Sequence, residues 1–195
     1  MPIPTGGCLV NLASLLPSCA ALTSVAGVRD FFYAASRKDL VFTRATDGTI
    51  TGVSLVASGK LIKVVGRKFQ NSGGTELAVS GVGKRRFKHK FSARVYFRTQ
   101  AERNGLENLS FVEDLVILSP NNDNQIEVYG QSIGLAASSG KVGTGVKLDD
   151  DNTGLFEFDG EEAKMPVLFN TVTTATTEEA DYLANITLLD GLVNA

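Results

Sequence analysis

The sequence predicts a mainly β protein, a β-sandwich or β-barrel with one short flanking helix and terminal arms. Three observations predict this class. Twenty glycines against five prolines, with eleven phenylalanines and runs rich in valine and threonine, favour strands and tight turns. Residues 84–98 alternate between apolar and polar side chains. Asp47-Gly48 is a strong hairpin signal between two apolar runs.

The length and charge of the chain limit its organisation. With 195 residues and 43% hydrophobic content, the chain can bury the core of one domain. We therefore divide it into an N-terminal arm over 1–28, a β domain over 29–169 and a C-terminal arm or short helix over 170–195. The net charge of −2 gives no general basic excess for nucleic-acid binding, so any electrostatic function must be local.

The N-terminal arm carries an apolar stretch, residues 8–22, that is similar to the core of a signal peptide. A signal peptide places positive charge before its apolar part, whereas the first basic residue here is Arg29, and Pro17 interrupts the stretch. An arm that docks on this or a neighbouring subunit is therefore preferred, and export remains the alternative. Cys8 and Cys19 are too few for a structural zinc site, and no run approaches the roughly 18 apolar residues of a membrane span.

The first half of the β domain is predicted to consist of strands with one clear hairpin. Asp47-Gly48 should connect the hairpin strands Leu40–Arg44 and Ile50–Val56. Asn71–Gly74 is predicted to be a flexible loop or the tip of a long hairpin. The other strands expected here are Val28–Ala34, Leu61–Phe69 and Leu77–Ser80.

The longest periodic stretch, Lys84–Arg98, predicts one long strand with two unlike faces. The apolar face, which should lie in a core, comprises Phe87, His89, Phe91, Ala93, Val95 and Phe97. The opposite face carries a row of cations, named here the basic row: Arg86, Lys88, Lys90, Arg94 and Arg98. Such a row requires a partner for its charge.

The second half mixes short helices and strands. Thr99 and Glu102 form a capping box that predicts a helix over Gln100–Asn108. The apolar run Asp114–Leu118 predicts a strand buried on both faces. Further expectations are the strands Gln125–Tyr129 and Leu155–Phe158, a glycine- and serine-rich loop over Gly134–Gly145, and a last helix capped by Thr176 and Glu179 that carries Tyr182, Leu183, Ile186 and Leu189.

Catalytic chemistry is hard to assemble from these residues. His89, the only histidine, lies in mid-strand between basic neighbours, so a packed, hydrogen-bonded role is preferred over that of a general base. The sequence lacks a nucleophile elbow, a zinc-protease pair and a phosphate loop. Asp149, Asp151 and Thr153 match a calcium loop, but its twelfth place is Gly160, so a turn is preferred. We predict no enzyme, no cofactor and no metal.

Three interpretations of the basic row are open. It can track a phosphate backbone, as in a nucleic-acid-binding β module that uses residues 86–98. It can be a solvated strand face. It can also meet Glu157, Asp159 and Glu161 across a strand pair or a subunit boundary, where complementary charge fixes partner choice. The third is preferred, because it also accounts for the acidic strand and the small net charge.

The order of elements over residues 27–169 resembles the tail tube and tube-like ring proteins of tailed phages. The likeness rests on the charged strand Lys84–Arg98, the short helix, the buried strand, Gln125–Gly130, and Thr153–Glu162 leading to Met165-Pro166. It implies a ring of six copies closed by side-by-side sheets, rings that stack, and DNA passing through the lumen.

The resemblance also implies a location and partners. The chain would assemble in the host cytoplasm and reside in the virion tail, with itself and other virion proteins as partners and no membrane. We expect the basic row, with Glu157, Asp159 and Glu161, to serve subunit contacts rather than to line the lumen. Tail tube, collar ring and capsid decoration remain open.

Overall fold

Two hydrophobic clusters separate three layers of secondary structure in the computed structural model, which describes residues 25–79, 84–97, 99–143, 153–171 and 177–193. The helices are α1 (Gln100–Ser110) and α2 (Glu178–Val193). The strands are β1 (Phe31–Ser36), β2 (Leu40–Arg44), β3 (Ile50–Leu55), β4 (Ile62–Val65), β5 (Ser72–Val79), β6 (Arg85–Tyr96), β7 (Leu115–Pro120), β8 (Ile126–Tyr129), β9 (Ala136–Gly143), β10 (Thr153–Glu162) and β11 (Val167–Leu168). The prediction of a mainly β protein is confirmed.

The central layer is a five-stranded antiparallel sheet in the order β11-β8-β7-β1-β4, named here the first sheet. All six residues of β7 are buried, because the other two layers cover both faces of this sheet. The prediction of a doubly buried strand is therefore confirmed. The strand expected over Leu61–Phe69 is shorter than predicted, since it ends at Val65 and Phe69 adopts a positive φ of 63°.

The second layer is a four-stranded antiparallel sheet in the order β5-β6-β10-β9, named here the second sheet. Its long strand β6 confirms the predicted alternation, with Phe91, Ala93 and Val95 buried against the first sheet. The rings of Phe32 and Phe91 meet edge to face across this interface, with centroids 5.0 Å apart. Burial of aromatic and aliphatic side chains between the two sheets stabilises this core.

The third layer covers the other face of the first sheet with the β2–β3 hairpin and α2. The predicted hairpin is confirmed. On α2, Tyr182 and Leu189 are buried, whereas Leu183 is 56% exposed. The Tyr33 hydroxyl donates to Asp190 Oδ1 at 2.7 Å and so ties α2 to β1. The helix is capped by Thr177, whose Oγ1 accepts from Ala180 N, while the predicted cap Thr176 lies outside the described residues.

The helix α1 closes one end of the core between the two sheets. Thr99 Oγ1 accepts from Glu102 N at 3.2 Å, and Glu102 Oε2 accepts from Thr99 N at 2.9 Å, so the predicted capping box is confirmed. The helix buries Leu106 and Leu109. Gly105 faces open space, since an added Cβ there would meet nothing within 4 Å.

Two predicted loops are wrong for most of their length. Residues 72–74 belong to β5, and residues 136–143 form β9, so both segments are edge strands of the second sheet. Their glycines and serines have low intrinsic strand propensity, and pairing with β6 and β10 imposes the extended conformation. Gly73 also has a packing role, because a Cβ there would lie 2.4 Å from the Tyr129 hydroxyl oxygen.

Candidate assembly surface

The outer face of the second sheet, named here the charged face, brings the basic row and the acidic strand together. Strand β10 pairs with β6 so that Glu161 lies opposite Lys88 and Asp159 opposite Lys90. Directly paired residues share a face of the sheet. The described charged residues of this face are Glu76, Arg86, Lys88, Lys90, Arg94, Lys141, Glu157, Asp159 and Glu161.

Two lysines of the basic row form ion pairs within the chain. Lys88 Nζ lies 2.7 Å from Asp159 Oδ2 on β10, and Lys90 Nζ lies 2.7 Å from Glu76 Oε1 on β5. The hydrogen bond to Asp159 raises the pKa of Lys88, and the hydrogen bond from Lys90 lowers the pKa of Glu76. Pairing across a strand pair is thus confirmed for Lys88 and Asp159.

The other charged positions extend this mixture of signs. Glu157 Oε2 accepts a hydrogen bond from Ser139 Oγ at 2.7 Å, and the charge of Glu161 adds to the rise in the pKa of Lys88. Arg86 is exposed and Arg94 half-buried, and Arg98 lies outside the described residues. A shallow cavity of about 520 Å³ lies on this face, and its lining includes Lys88, Lys90, Glu157 and Asp159. Alternating charge of this kind fits a protein surface or a non-adhesive wall better than a phosphate backbone.

Glu76 is the acid that sequence reasoning missed. The predicted strand Leu77–Ser80 began one residue after it, because the preceding glycines indicated a loop. Had that strand begun at Ser72, the pairing with β6 would have placed Glu76 opposite Lys88 on the charged face.

Both edges of the second sheet are open among the described residues. Strand β5 forms one edge and β9 the other, each eight residues long. Because each neighbouring pair is antiparallel, β5 and β9 run in opposite directions. Strand β5 contains neither proline nor lysine, the residues that usually protect an edge, and β9 contains one lysine, Lys141. Each edge therefore presents backbone donors and acceptors to a further strand.

Two polar side chains, His89 and Glu162, lie on the inner side of the second sheet, in the core. His89 is fully buried, and its Nδ1 accepts from Gly130 N at 3.3 Å while Nε2 donates to Lys164 O at 2.8 Å. Burial lowers the pKa of His89, against the opposing effect of the Lys164 hydrogen bond. The prediction that His89 is packed and hydrogen-bonded is confirmed.

Glu162, four residues beyond the predicted end of its strand, is also fully buried. Its Oε1 accepts from the backbone N–H groups of Ser132, Ile133 and Gly134 at 2.9, 2.8 and 3.3 Å. Sequence reasoning missed it, although the alternation that starts at Phe156 and Phe158 places Glu162 on the same inner row. The carboxylate fixes the loop between β8 and β9.

The residues that matched a calcium loop form no metal site within the described part of the chain. Asp149 and Asp151 lie outside the described residues, while Thr153 begins β10 and Gly160 pairs with His89. Over the described ranges no three His, Cys, Asp or Glu side chains converge on a metal position. In the same part of the chain, no helix combines the length and apolar character that crossing a bilayer needs.

The open edges and the charged face make the second sheet the candidate functional surface of the molecule. Comparison with known proteins found no matching family model, no matching curated protein and no matching solved structure.

Proposed function

We propose that the chain is a structural subunit that assembles with copies of itself into a closed ring by continuing the second sheet from copy to copy. The observation that carries this proposal is the pair of open edges, β5 and β9. An unpaired edge is a template for another strand, and a monomer normally blocks it with lysine, proline or a covering segment. Here two such edges of equal length occur in one sheet.

The directions of the edge strands suit a ring. If neighbouring copies stand side by side with their β6 strands parallel, β9 of one copy lies antiparallel to β5 of the next. The contact is heterologous, since different surfaces meet, and it closes into a ring when the rotation per copy permits. Antiparallel pairing then satisfies the outward backbone groups of both strands.

The size of such a ring is compatible with a DNA conduit. Six copies with four strands each would supply 24 strands to a barrel. At about 4.8 Å between strands the barrel would be about 37 Å in diameter, and wider if the strands tilt. Inward side chains narrow this channel, which still admits a DNA duplex. The resemblance to tail tube proteins supports the same architecture, and with it a place in the virion tail, assembly in the host cytoplasm and DNA as passing cargo.

The layer order favours one placement of the charged face. The first sheet and α2 occupy the other side of the second sheet, and two further layers do not fit inside a barrel of this diameter. The charged face therefore lines the channel in this proposal, whereas the sequence favoured subunit contacts for the basic row. The pairing of Lys88 with Asp159 and of Lys90 with Glu76 makes such a wall weakly adhesive to DNA.

Native mass measurement and negative-stain images of the full chain test the proposal, which predicts closed rings. Hydrogen exchange adds a residue-level check, because the outward amides of β5 and β9 should become protected on assembly, while the exposed β2–β3 turn at Asp47-Gly48 should not. A chain that stays monomeric at all concentrations, with both edges exchanging freely, would refute the proposal.

A nucleic-acid-binding module is the rival function, favoured by the basic row alone. It predicts affinity for single-stranded DNA that falls steeply with added salt and that is lost in a Lys88→Ala/Lys90→Ala variant. The assembly proposal predicts no retention of DNA at moderate salt in a filter-binding titration. Salt-dependent retention in the wild type that the variant abolishes would favour the rival.

A further inference from the structure

The loop between β8 and β9, named here the β8–β9 loop (residues 130–134), is held by two ionisable side chains of the second sheet. His89 Nδ1 accepts from Gly130 N at 3.3 Å at one end of the loop. Glu162 Oε1 accepts from three N–H groups further along, the last of which is Gly134 N. Both side chains are fully buried, although histidine and glutamate can each carry a charge. Each end of the loop therefore depends on the protonation state of one buried group.

The hydrogen bonds of His89 determine which ring nitrogen carries a proton. A backbone N–H group can only donate, so Nδ1, which faces Gly130 N, carries no proton. A carbonyl oxygen can only accept, so Nε2, which faces Lys164 O at 2.8 Å, carries the proton. A proton added to Nδ1 would place two N–H groups against each other at Gly130. The imidazole therefore cannot keep both contacts once it is positively charged.

Glu162 provides another acceptor for a charged imidazole. Gly160 on β10 pairs directly with His89, and Glu162 lies two residues further along the same inner row. Diagonal neighbours of this kind are within reach of long side chains. Oε2 of Glu162 is buried and has no hydrogen-bond partner among the residues that the structure describes. A buried acceptor without a donor thus lies diagonally across from a base that needs an acceptor when it is protonated.

We propose that His89 and Glu162 form an acid-sensitive latch on the β8–β9 loop. At neutral pH, Nδ1 accepts from Gly130 N and the loop is closed. In acid, Nδ1 takes a proton from solvent, loses the contact with Gly130 and donates to Glu162 Oε2, while Nε2 keeps its proton and its bond to Lys164 O. Oε1 retains its three N–H donors, so only the Gly130 end of the loop is released. This inference goes beyond the proposed function and does not depend on it.

The groups packed around His89 are consistent with a latch that is closed at pH 7. Burial lowers the pKa of His89, while the charges of Glu162 on β10 and Glu127 on β8 oppose this effect. Glu127 already accepts from the hydroxyl of Tyr129, whose ring meets the imidazole edge to face with centroids 5.7 Å apart. Burial raises the pKa of Tyr129, so this ring is uncharged. The residue opposite His89 on β5 is Thr75.

The cations closest to His89 in sequence lie outside this inner cluster. Lys88 and Lys90 are on the charged face, and Lys164 is exposed. No cation among them competes with the imidazole for Oε2 of Glu162. The carboxylate of Glu162 is therefore the partner expected for the protonated ring.

Nuclear magnetic resonance titration of the full chain tests the role of Glu162, because His89 is the only histidine and gives a single imidazole signal. Glu162→Gln keeps an oxygen for the loop N–H groups but lacks the carboxylate that stabilises the charged ring. Its His89 titration midpoint should therefore lie about one pH unit below that of wild type. Glu161→Gln is the matched control, since Glu161 is exposed on the charged face, and it should leave the midpoint unchanged. Equal midpoints for wild type and Glu162→Gln would overturn the latch.

Hydrogen exchange in the wild-type chain tests the release itself and requires no variant. Between pH 7.5 and 5.5 the protection factor of the Gly130 amide should fall about tenfold, because the released loop binds one more proton than the closed loop. The Gly134 amide, which Glu162 still holds, should keep its protection. Constant protection at Gly130 would overturn the latch. A parallel loss at Gly130, at Gly134 and in the buried strand β7 would also overturn it, because it would indicate unfolding of the whole domain.

Discussion

Replacing Glu162 with alanine should destabilise the protein by about 3 kcal/mol. The side chain is fully buried, and its Oε1 accepts from three successive backbone N–H groups. The Gly134 N–H is buried and would lose its partner, at about 1–3 kcal/mol, while the N–H groups of Ser132 and Ile133 can regain water at a smaller cost. The described residues provide no hydrogen-bond partner for the buried Oε2 of Glu162. Removing this carboxylate therefore also removes an unfavourable desolvation energy, which offsets part of the loss of stability.

Urea denaturation under conditions that keep the chain dispersed, followed by far-ultraviolet circular dichroism, measures this change. Glu162→Gln should fall between wild type and alanine, because it retains a carbonyl oxygen for the N–H groups. Glu161→Ala is the matched control, since Glu161 is exposed on the charged face one residue away, and its free energy of unfolding should not change measurably. Equal effects of Glu161→Ala and Glu162→Ala would refute the assignment of inner and outer faces of β10.

Three further predictions concern the core and the edges. Burial lowers the pKa of His89 below the unfolded value of about 6.5, so the unfolded state binds more protons than the folded state as the pH falls. The free energy of unfolding should therefore decrease by up to about 1.4 kcal/mol between pH 7.5 and 5.5. Urea titrations at both pH values should show this loss in wild type and not in His89→Gln. Gly73→Ala should destabilise the protein by about 1–3 kcal/mol, because the added methyl group would clash with the buried Tyr129. Gly74→Ala, where an added Cβ meets nothing within 4 Å, should be neutral or slightly stabilising in thermal melts. Equal shifts in melting temperature for the two variants would contradict the assigned register of β5. Leu189→Ala should lower the free energy of unfolding by about 2–5 kcal/mol and should allow a hydrophobic dye to bind the third layer. If this variant is as stable as wild type, the packing of α2 on the first sheet is contradicted.

The sequence predicted those elements that are determined by side chains close together in the chain. The alternation of β6, the apolar run of β7 and the capping box of α1 each follow from side chains within a few positions of one another. In these segments local preference and tertiary environment agree, so the sequence alone is sufficient.

The edges of the second sheet could not be predicted in this way. Residues 72–74 and 136–143 are rich in glycine and serine, and they are strands because β6 and β10 offer them hydrogen bonds from positions distant in sequence. Glu76 was missed for the same reason, because its ion pair with Lys90 forms only if β5 is a strand. The alternation from Phe156 and Phe158 could have placed Glu162 on the inner row, but the side-chain pattern does not reveal its partners, which are backbone N–H groups of a loop.

The distribution of layers determines where this molecule can make contacts. The first sheet is covered on one face by the second sheet and on the other by α2 and the β2–β3 hairpin, so neither of its faces is available. Within the described part of the chain, the second sheet retains an uncovered outer face and two unpaired edges. Lateral pairing through β5 and β9 uses these edges and leaves the charged face uncovered.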